Sequence, residues 1–437
     1  MRAVWGIRNW LVGCLLWGLC FGAGASLQLQ GERASLRVTE QTLASVLALF
    51  EAYGVEVVLD PALAMERVTG DWKSIEVGRL VEQLAHPHDY VVGWQRLNTP
   101  LGALDQVSRI AILGEGVQDE EAMVERKPRT LDVVQGEDGS HYIRGEILVG
   151  FEEGSTIAEL KELLRAVNGT VLEVIDPPGL YRIRVSDKMS VEEALAKARM
   201  SRGVSEGEPN RAFSNEDLPV VSLSGTPSGV NLNLQPGERA IAVFDSGIDP
   251  VYQNLPFMLT AYNAIDPGAA VDDPTGHGTL VSMIAAGAVV PEGMPANEES
   301  VRVLPVALFD ANGWTSSEAL FSSINYALEQ GVRDFNWSFG TSERVPFFEE
   351  AIHQAVERGA RIYISSGNDG AEGSVYPASS SLTISIGSGS DSGIAPWSNY
   401  GADVDAYYPG EVYFNGKRYI GTSFSAPLAA YLNDLSD

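Results

Sequence analysis

Between residues 240 and 366 short apolar runs alternate with stretches of helical periodicity, and this alternation constrains the fold more tightly than anything else in the chain. Residues 240–244, 301–308, 333–337 and 360–364 read as buried strands. Leu280, Val281, Ile284 and Ala285 recur at helical spacing, and 317–330 and 347–358 read as helices closed by Gly331 and Gly359. Buried strands separated by helices of about 10 to 15 residues build a parallel, doubly wound α/β sheet. Such a sheet carries its chemistry at the C-terminal ends of its strands. Polar, glycine-bearing segments stand at those ends: Asp245-Ser246-Gly247, Ser338-Phe339-Gly340 and Ser365-Ser366-Gly367-Asn368-Asp369-Gly370.

Two further segments belong with these. Gly276-His277-Gly278-Thr279 opens one helix, and its glycines let other groups approach the imidazole. Gly421-Thr422-Ser423-Phe424-Ser425-Ala426-Pro427 opens another, with Pro427 expected in the first turn, where a missing N–H does no harm. Taken alone, Ser423 reads as a helix N-cap and Asp245 as an Asx-turn at a strand end.

Together, in the order Asp245, His277, Asn368, Ser423, the motifs D-S-G, G-H-G-T, S-G-N-D-G and G-T-S-F-S-A-P resemble the signature set of the subtilisin-like serine proteases, over residues 239–437. The resemblance implies an endopeptidase. Ser423 is its nucleophile, His277 the general base, and Asp245 the group that orients the imidazole. The Asn368 amide and the Ser423 backbone N–H would form the oxyanion hole. Ser338, Phe339 and Gly340 would pair with the substrate backbone as an added strand and wall the primary pocket. The small residues Ser365, Ser366 and Gly367 would leave that pocket roomy, favouring large apolar or aromatic side chains. The chemistry requires no cofactor. Structural calcium is common in the family, but no ligand loop can be assigned here. The family usually continues well past the nucleophile, whereas residues 424–437 alone follow it here. About two turns of helix over 427–435 are therefore expected, with part of the sheet uncovered.

Upstream, residues 141–213 show a compact β-α-β-β-α-β pattern, the ferredoxin-like split unit. Ser190 with Glu193 suits a capping box there. Its phrases at 145–151, 179–184 and 207–210 resemble the propeptide of the same proteases. That implies an intramolecular inhibitor whose tail, 210–219, lies in the cleft until cut. Residues 214–238, rich in Ser, Pro, Gly and Asn, form a linker holding the processing site, and 117–140 reads as a second linker. Residues 27–116 form a small α/β module. Its order resembles the short N-terminal domain of secretins and TonB-dependent receptors, which implies a docking role for a protein partner. His86 and His88 share a loop but lack a third ligand, so they read as exposed residues.

The chain carries 30 Lys and Arg against 58 Asp and Glu, a net charge of -28. That excludes nucleic acid as a partner, since phosphate binding needs a basic face. Arg2 and Arg8, an apolar stretch at 10–21 and Ala23-Gly24-Ala25 make residues 1–25 a signal peptide. Export to the periplasm or outside is expected, with no transmembrane segment. The apolar run before Cys14 is short for lipoprotein anchoring. Both cysteines, Cys14 and Cys20, fall in this segment, leaving no disulfide or thiol chemistry downstream. A rival reading is a docking protein whose protease-like region is inactive or cuts only itself. An α/β-hydrolase esterase is disfavoured, because it needs a G-x-S-x-G elbow and the order Ser-Asp-His.

Overall fold

The computed structural model describes residues 25–113, 130–176, 179–186, 188–215, 220–221, 234, 238–292, 294, 300–341 and 345–434. Of the expected signal peptide at 1–25, residues 1–24, with Cys14 and Cys20, lie outside the described residues. The chain divides into two compact units, one of Met1–Gln95 with Asp105–Val124, the other of Arg96–Leu104 with Glu125–Asp437.

In the first unit an antiparallel sheet joins Ala25–Gln30, Arg33–Thr42 and Arg67–Glu76. A second sheet sets Glu56–Leu59 parallel to Gly102–Leu113, with Asp89–Thr99 on the other side of the latter. Helices Leu43–Glu51 and Val77–Ala85 bury Leu43, Val46, Leu47, Phe50, Leu80 and Val81 in one core. Thr42 caps the first helix by accepting from the Ser45 N–H at 3.2 Å. Ala25–Gln30 and Arg67–Glu76 are additions to the expected elements. The second of these holds no fully buried residue, so no apolar run announced it.

In the second unit, His141–Phe151, Thr170–Ile175, Leu180–Arg184 and Val204–Ser214 form an antiparallel sheet backed by helices Ile157–Val167 and Val191–Met200. This is the expected split β-α-β unit. Ser190 caps its second helix, accepting from the Glu193 N–H at 3.1 Å. The 117–140 stretch is not all linker. Val133–Gln135 pairs with the first strand, and Leu131 enters the core beyond it.

The rest of the unit is the doubly wound sheet. Parallel strands Arg302–Ala307, Ala240–Asp245, Asp334–Trp337, Arg361–Ser365 and Ile384–Ser390 lie side by side in that order, with Tyr262–Asn263 outside the first and Ala406–Tyr408 beside the last. Successive side chains of a strand point to opposite faces. Accordingly Ala240, Ala242 and Phe244 enter one core with helices Ser317–Glu329 and Pro346–Glu357. Ile241 and Val243 enter the other core, with helices His277–Ala285 and Thr422–Asp434. The last helix is longer than expected. It starts at Thr422, contains Pro427 in its interior, and buries Phe424, Ala426, Leu428, Ala429, Ala430 and Tyr431.

Candidate active site

Asp245 ends its strand at the C-terminal edge of the sheet, and His277 is the first residue of its helix. Gly278 explains how the two meet. A Cβ there would lie 2.5 Å from the Gly247 carbonyl oxygen and 3.2 Å from the Asp245 Cβ, a space that glycine alone leaves open. His277 Nδ1 and Asp245 Oδ1 are 2.7 Å apart, and both side chains are essentially inaccessible. A carboxylate can only accept, so Nδ1 carries the proton and Nε2 is left as the acceptor. Among the described residues, Nε2 has no hydrogen-bond partner.

Ser423 is the second residue of its helix and 4 % exposed. Its hydroxyl donates to the Ser338 carbonyl at 3.3 Å rather than to His277. The neighbouring Phe424 ring lies 5.6 Å from the imidazole, centroid to centroid. Asp245 and His277 are thus joined, while the serine stands beside them with its hydroxyl turned to the Ser338 strand.

Asn368 follows the Arg361–Ser365 strand. Its Oδ1 accepts from the Thr422 N–H at 2.9 Å and the Thr422 hydroxyl at 3.0 Å. Two donors on one oxygen settle which way the amide points, and Nδ2 is left to donate elsewhere. The N–H groups of the first helical turn are also without intrahelical acceptors, and Ser423 is one of these residues. The amide and that N–H are the two donors expected for an oxyanion.

Of Ser338, Phe339 and Gly340, only Gly340 is exposed; Ser338 and Phe339 are 1 % and 8 % accessible. Phe339 stacks on Trp337 and packs edge-on to Phe309. The Ser338 side chain has a task that the sequence did not reveal. Pro427 cannot donate to the carbonyl four residues back, so the Ser423 carbonyl lacks its helical partner. Ser338 Oγ donates to that carbonyl at 3.0 Å. Pro427 is therefore not the harmless first-turn residue expected, and its consequence lands on the serine itself.

The expected roomy pocket is narrowed. A Cβ on Gly340 would meet Val375 Cγ2 at 2.4 Å, and one on Gly367 would meet Val375 Cγ1 at 3.1 Å. The Val375 side chain occupies the space between these two glycines. No local pattern marks it, because Val375 reaches the site through a turn held by its N–H on the Ser366 carbonyl at 3.0 Å.

The tail of the upstream sheet reaches this region. Ala212, Phe213 and Ser214 pair antiparallel with Ser316, Thr315 and Trp314. The Phe213 ring sits 4.7 Å from Phe348, and the Asn215 N–H donates to the Gly313 carbonyl at 2.9 Å. Further on, the Val221 N–H donates to the Thr275 carbonyl at 2.6 Å, two residues before His277. Residues 216–219 and 222–233, where the processing site was expected, lie outside the described residues. Asn210 Nδ2 donates to Glu146 at 2.8 Å, while its Oδ1 accepts from the Glu318 N–H at 3.2 Å.

Known proteins match this architecture. A profile described as the subtilase family covers residues 238–433, and one described as the fervidolysin N-terminal prodomain covers 128–210. A thermophilic serine proteinase of Bacillus sp. (strain AK1) is 27% identical over 331 residues, 70% of this chain and 81% of that protein. The major intracellular serine protease of Bacillus subtilis (strain 168) is 32% identical over 236 residues, 48% of this chain and 74% of that protein. The crystal structure of fervidolysin from Fervidobacterium pennivorans, described as a keratinolytic enzyme related to subtilisin, matches in fold with a TM-score of 0.52 at 21% identity. That match spans 72% of this chain and 58% of the fervidolysin chain.

Proposed function

We propose how this chain works from one premise: it belongs to the subtilase family. It is a subtilisin-like serine endopeptidase made as a zymogen, with a fervidolysin-like prodomain before its catalytic region. Subtilases need no cofactor for this chemistry. Ser423 attacks the scissile carbonyl, His277 takes the hydroxyl proton on Nε2 and returns it to the leaving amine, and Asp245 holds the imidazole and stabilises its cation. The Asn368 amide and the Ser423 N–H receive the oxyanion. Substrate adds to the Gly340 segment as a strand, and Val375 favours a small side chain before the scissile bond. The single observation that carries this reading is the buried 2.7 Å Asp245–His277 contact, with Nε2 left free beside the Ser423 helix.

The prodomain runs from Leu131 to Phe213, and its tail occupies the substrate-side strand Trp314–Ser316 until the linker at 214–238 is cut. The exported enzyme works in the periplasm or outside the cell. The module at 27–116 docks another protein, a role supported by the exposed Tyr90, Val91 and Trp94 on strand Asp89–Thr99. Ser423→Ala tests the enzyme reading. The full-length wild type is expected to cut itself between Asn210 and Arg239 and to react with a fluorophosphonate probe. The variant should do neither, with peptide hydrolysis reduced at least about 10⁴-fold. A wild-type chain that shows no self-cleavage and no labelling defeats the proposal.

A further inference from the structure

Asp273, four residues before His277, is a buried carboxylate to which the residues above assign no role. It is 5 % exposed, yet it accepts four hydrogen bonds. Its Oδ1 receives the Ser246 hydroxyl at 2.7 Å and the Gly276 N–H at 2.9 Å, with the Thr275 hydroxyl oxygen 3.2 Å away. Its Oδ2 receives the Thr279 N–H at 2.8 Å and the Thr279 hydroxyl at 2.6 Å. The donors are not a random set. Ser246 follows Asp245 directly, while Gly276 and Thr279 flank His277. One carboxylate thus ties the strand end that carries Asp245 to the helix start that carries His277.

The Ser246 hydroxyl is the hinge of this arrangement. It has one proton and two acceptors in reach, Asp273 Oδ1 at 2.7 Å and Asp245 Oδ1 at 3.2 Å. The shorter, better bond goes to Asp273. The same oxygen accepts from the Gly278 N–H at 2.9 Å and the Thr275 hydroxyl at 2.8 Å. Asp245 Oδ1 is then left to the Ser246 N–H and His277 Nδ1, both at 2.7 Å. By drawing the hydroxyl proton away, Asp273 leaves more of Asp245's accepting capacity for the imidazole.

We infer that Asp273 is a positioning residue of the hydrolytic reaction, setting the Asp245–His277 geometry through Ser246 and Thr279. The inference rests on the triad reading given above. It predicts a loss in kcat at unchanged KM, because substrate binding does not pass through this bracket, whereas misplacement of a reacting group by about 1 Å can cost about 10²-fold. The test uses full-length chains carrying Asp273→Asn, Ser246→Ala and both changes, assayed for peptide hydrolysis, fluorophosphonate labelling rate and thermal unfolding. Each single variant is expected to lower kcat with KM unchanged, Asp273→Asn by about 10²-fold. The double variant should be scarcely worse than Asp273→Asn alone, because both act through one bond. Asp273→Asn turns an amide toward the Thr279 donors and so also lowers stability. Where that loss unfolds the chain, Ser246→Ala, which deletes only the hydroxyl, carries the test alone. A folded variant with wild-type kcat, or one that loses only unfolding temperature, overturns the inference. Ser423→Ala separates the two levels: residual full activity there defeats the triad reading itself, and not this bracket.

Discussion

The two faces of the catalytic sheet are closed in chemically different ways. On one face the Thr422–Asp434 helix is sealed by apolar contacts, with Phe424, Leu428 and Tyr431 all at most 1 % exposed. On the other, the prodomain meets helix Ser317–Glu329 through a shared apolar cluster that also holds buried charge. Arg182 of the prodomain lies between Glu146, Glu173 and Glu318 at 3.5, 3.0 and 3.4 Å, and only Glu318 belongs to the catalytic region. Burial works against the guanidinium's charge, but Glu318, Glu146 and Glu173 together hold it protonated more firmly than usual. Apolar burial is non-directional and has no easy substitute in water. An ion cluster can hand its partners to water when the halves separate. The permanent contact is apolar, and the contact that must one day open adds a buried ionic cluster to apolar packing by Ile143, Leu148, Leu180 and Phe213.

The largest expected effect tests the ionic side. Arg182→Met removes the cation that Glu146 and Glu318 share; Glu146 keeps Arg184 at 2.9 Å, while the buried Glu318 loses its contact with Arg182. Breaking a buried pair in this way costs about 3–5 kcal/mol. Prodomain retention after self-cleavage should weaken by about 10²–10³-fold, measured as the dissociation constant of the cut prodomain. Unchanged retention would mean that the neighbouring apolar contacts, such as Phe213 on Phe348, hold the prodomain alone.

A smaller effect tests the apolar side, at a polar flaw. Ser338→Ala leaves the Ser423 carbonyl without a donor in a buried place, a loss of about 1–3 kcal/mol in unfolding free energy. Adding Pro427→Ala restores a helical N–H to that carbonyl. The double variant should therefore recover much of the loss in chemical denaturation. Plain additivity of the two changes would show that the Ser338 bond is incidental.

What the sequence made legible follows the same division. Asp245 and Asn368 stand in short motifs at the ends of apolar strands, and His277 and Ser423 in short motifs that open helices, so local pattern and position both point to them. The Ile384–Ser390 and Ala406–Tyr408 strands escaped notice, since Ser-Gly-rich and short segments carry little apolar periodicity. The pairing of Ala212–Ser214 with Trp314–Ser316 spans about a hundred residues and leaves no local trace, although a tail in the cleft was expected from resemblance. Val375 between the two glycines, the Ser338–Ser423 bond and the Asp273 bracket are all contacts between distant turns. Residue type alone names none of them. The Ser338 bond could have been suspected, because a proline four residues after the nucleophile must orphan its carbonyl.

The smallest effect concerns pH and returns to the ionic face. Glu208 sits on the prodomain strand Val204–Ser214, with one carboxylate oxygen buried and unpartnered among the described residues. Burial pushes its carboxyl up to about 7 from an ordinary 4.5; Glu206 adds to the rise, and Arg211 and the Phe347 N–H oppose it. A raised carboxyl value means that the docked state holds its proton more tightly than the released state. Docking strength from this group is therefore complete below about pH 4.5 and is lost as pH rises through about 7. The cut prodomain should leave faster at pH 8 than at pH 5, and Glu208→Gln, which keeps the neutral shape, should flatten that slope without changing the pH 5 rate. A slope that persists unchanged in Glu208→Gln would show that Glu208 is not its source.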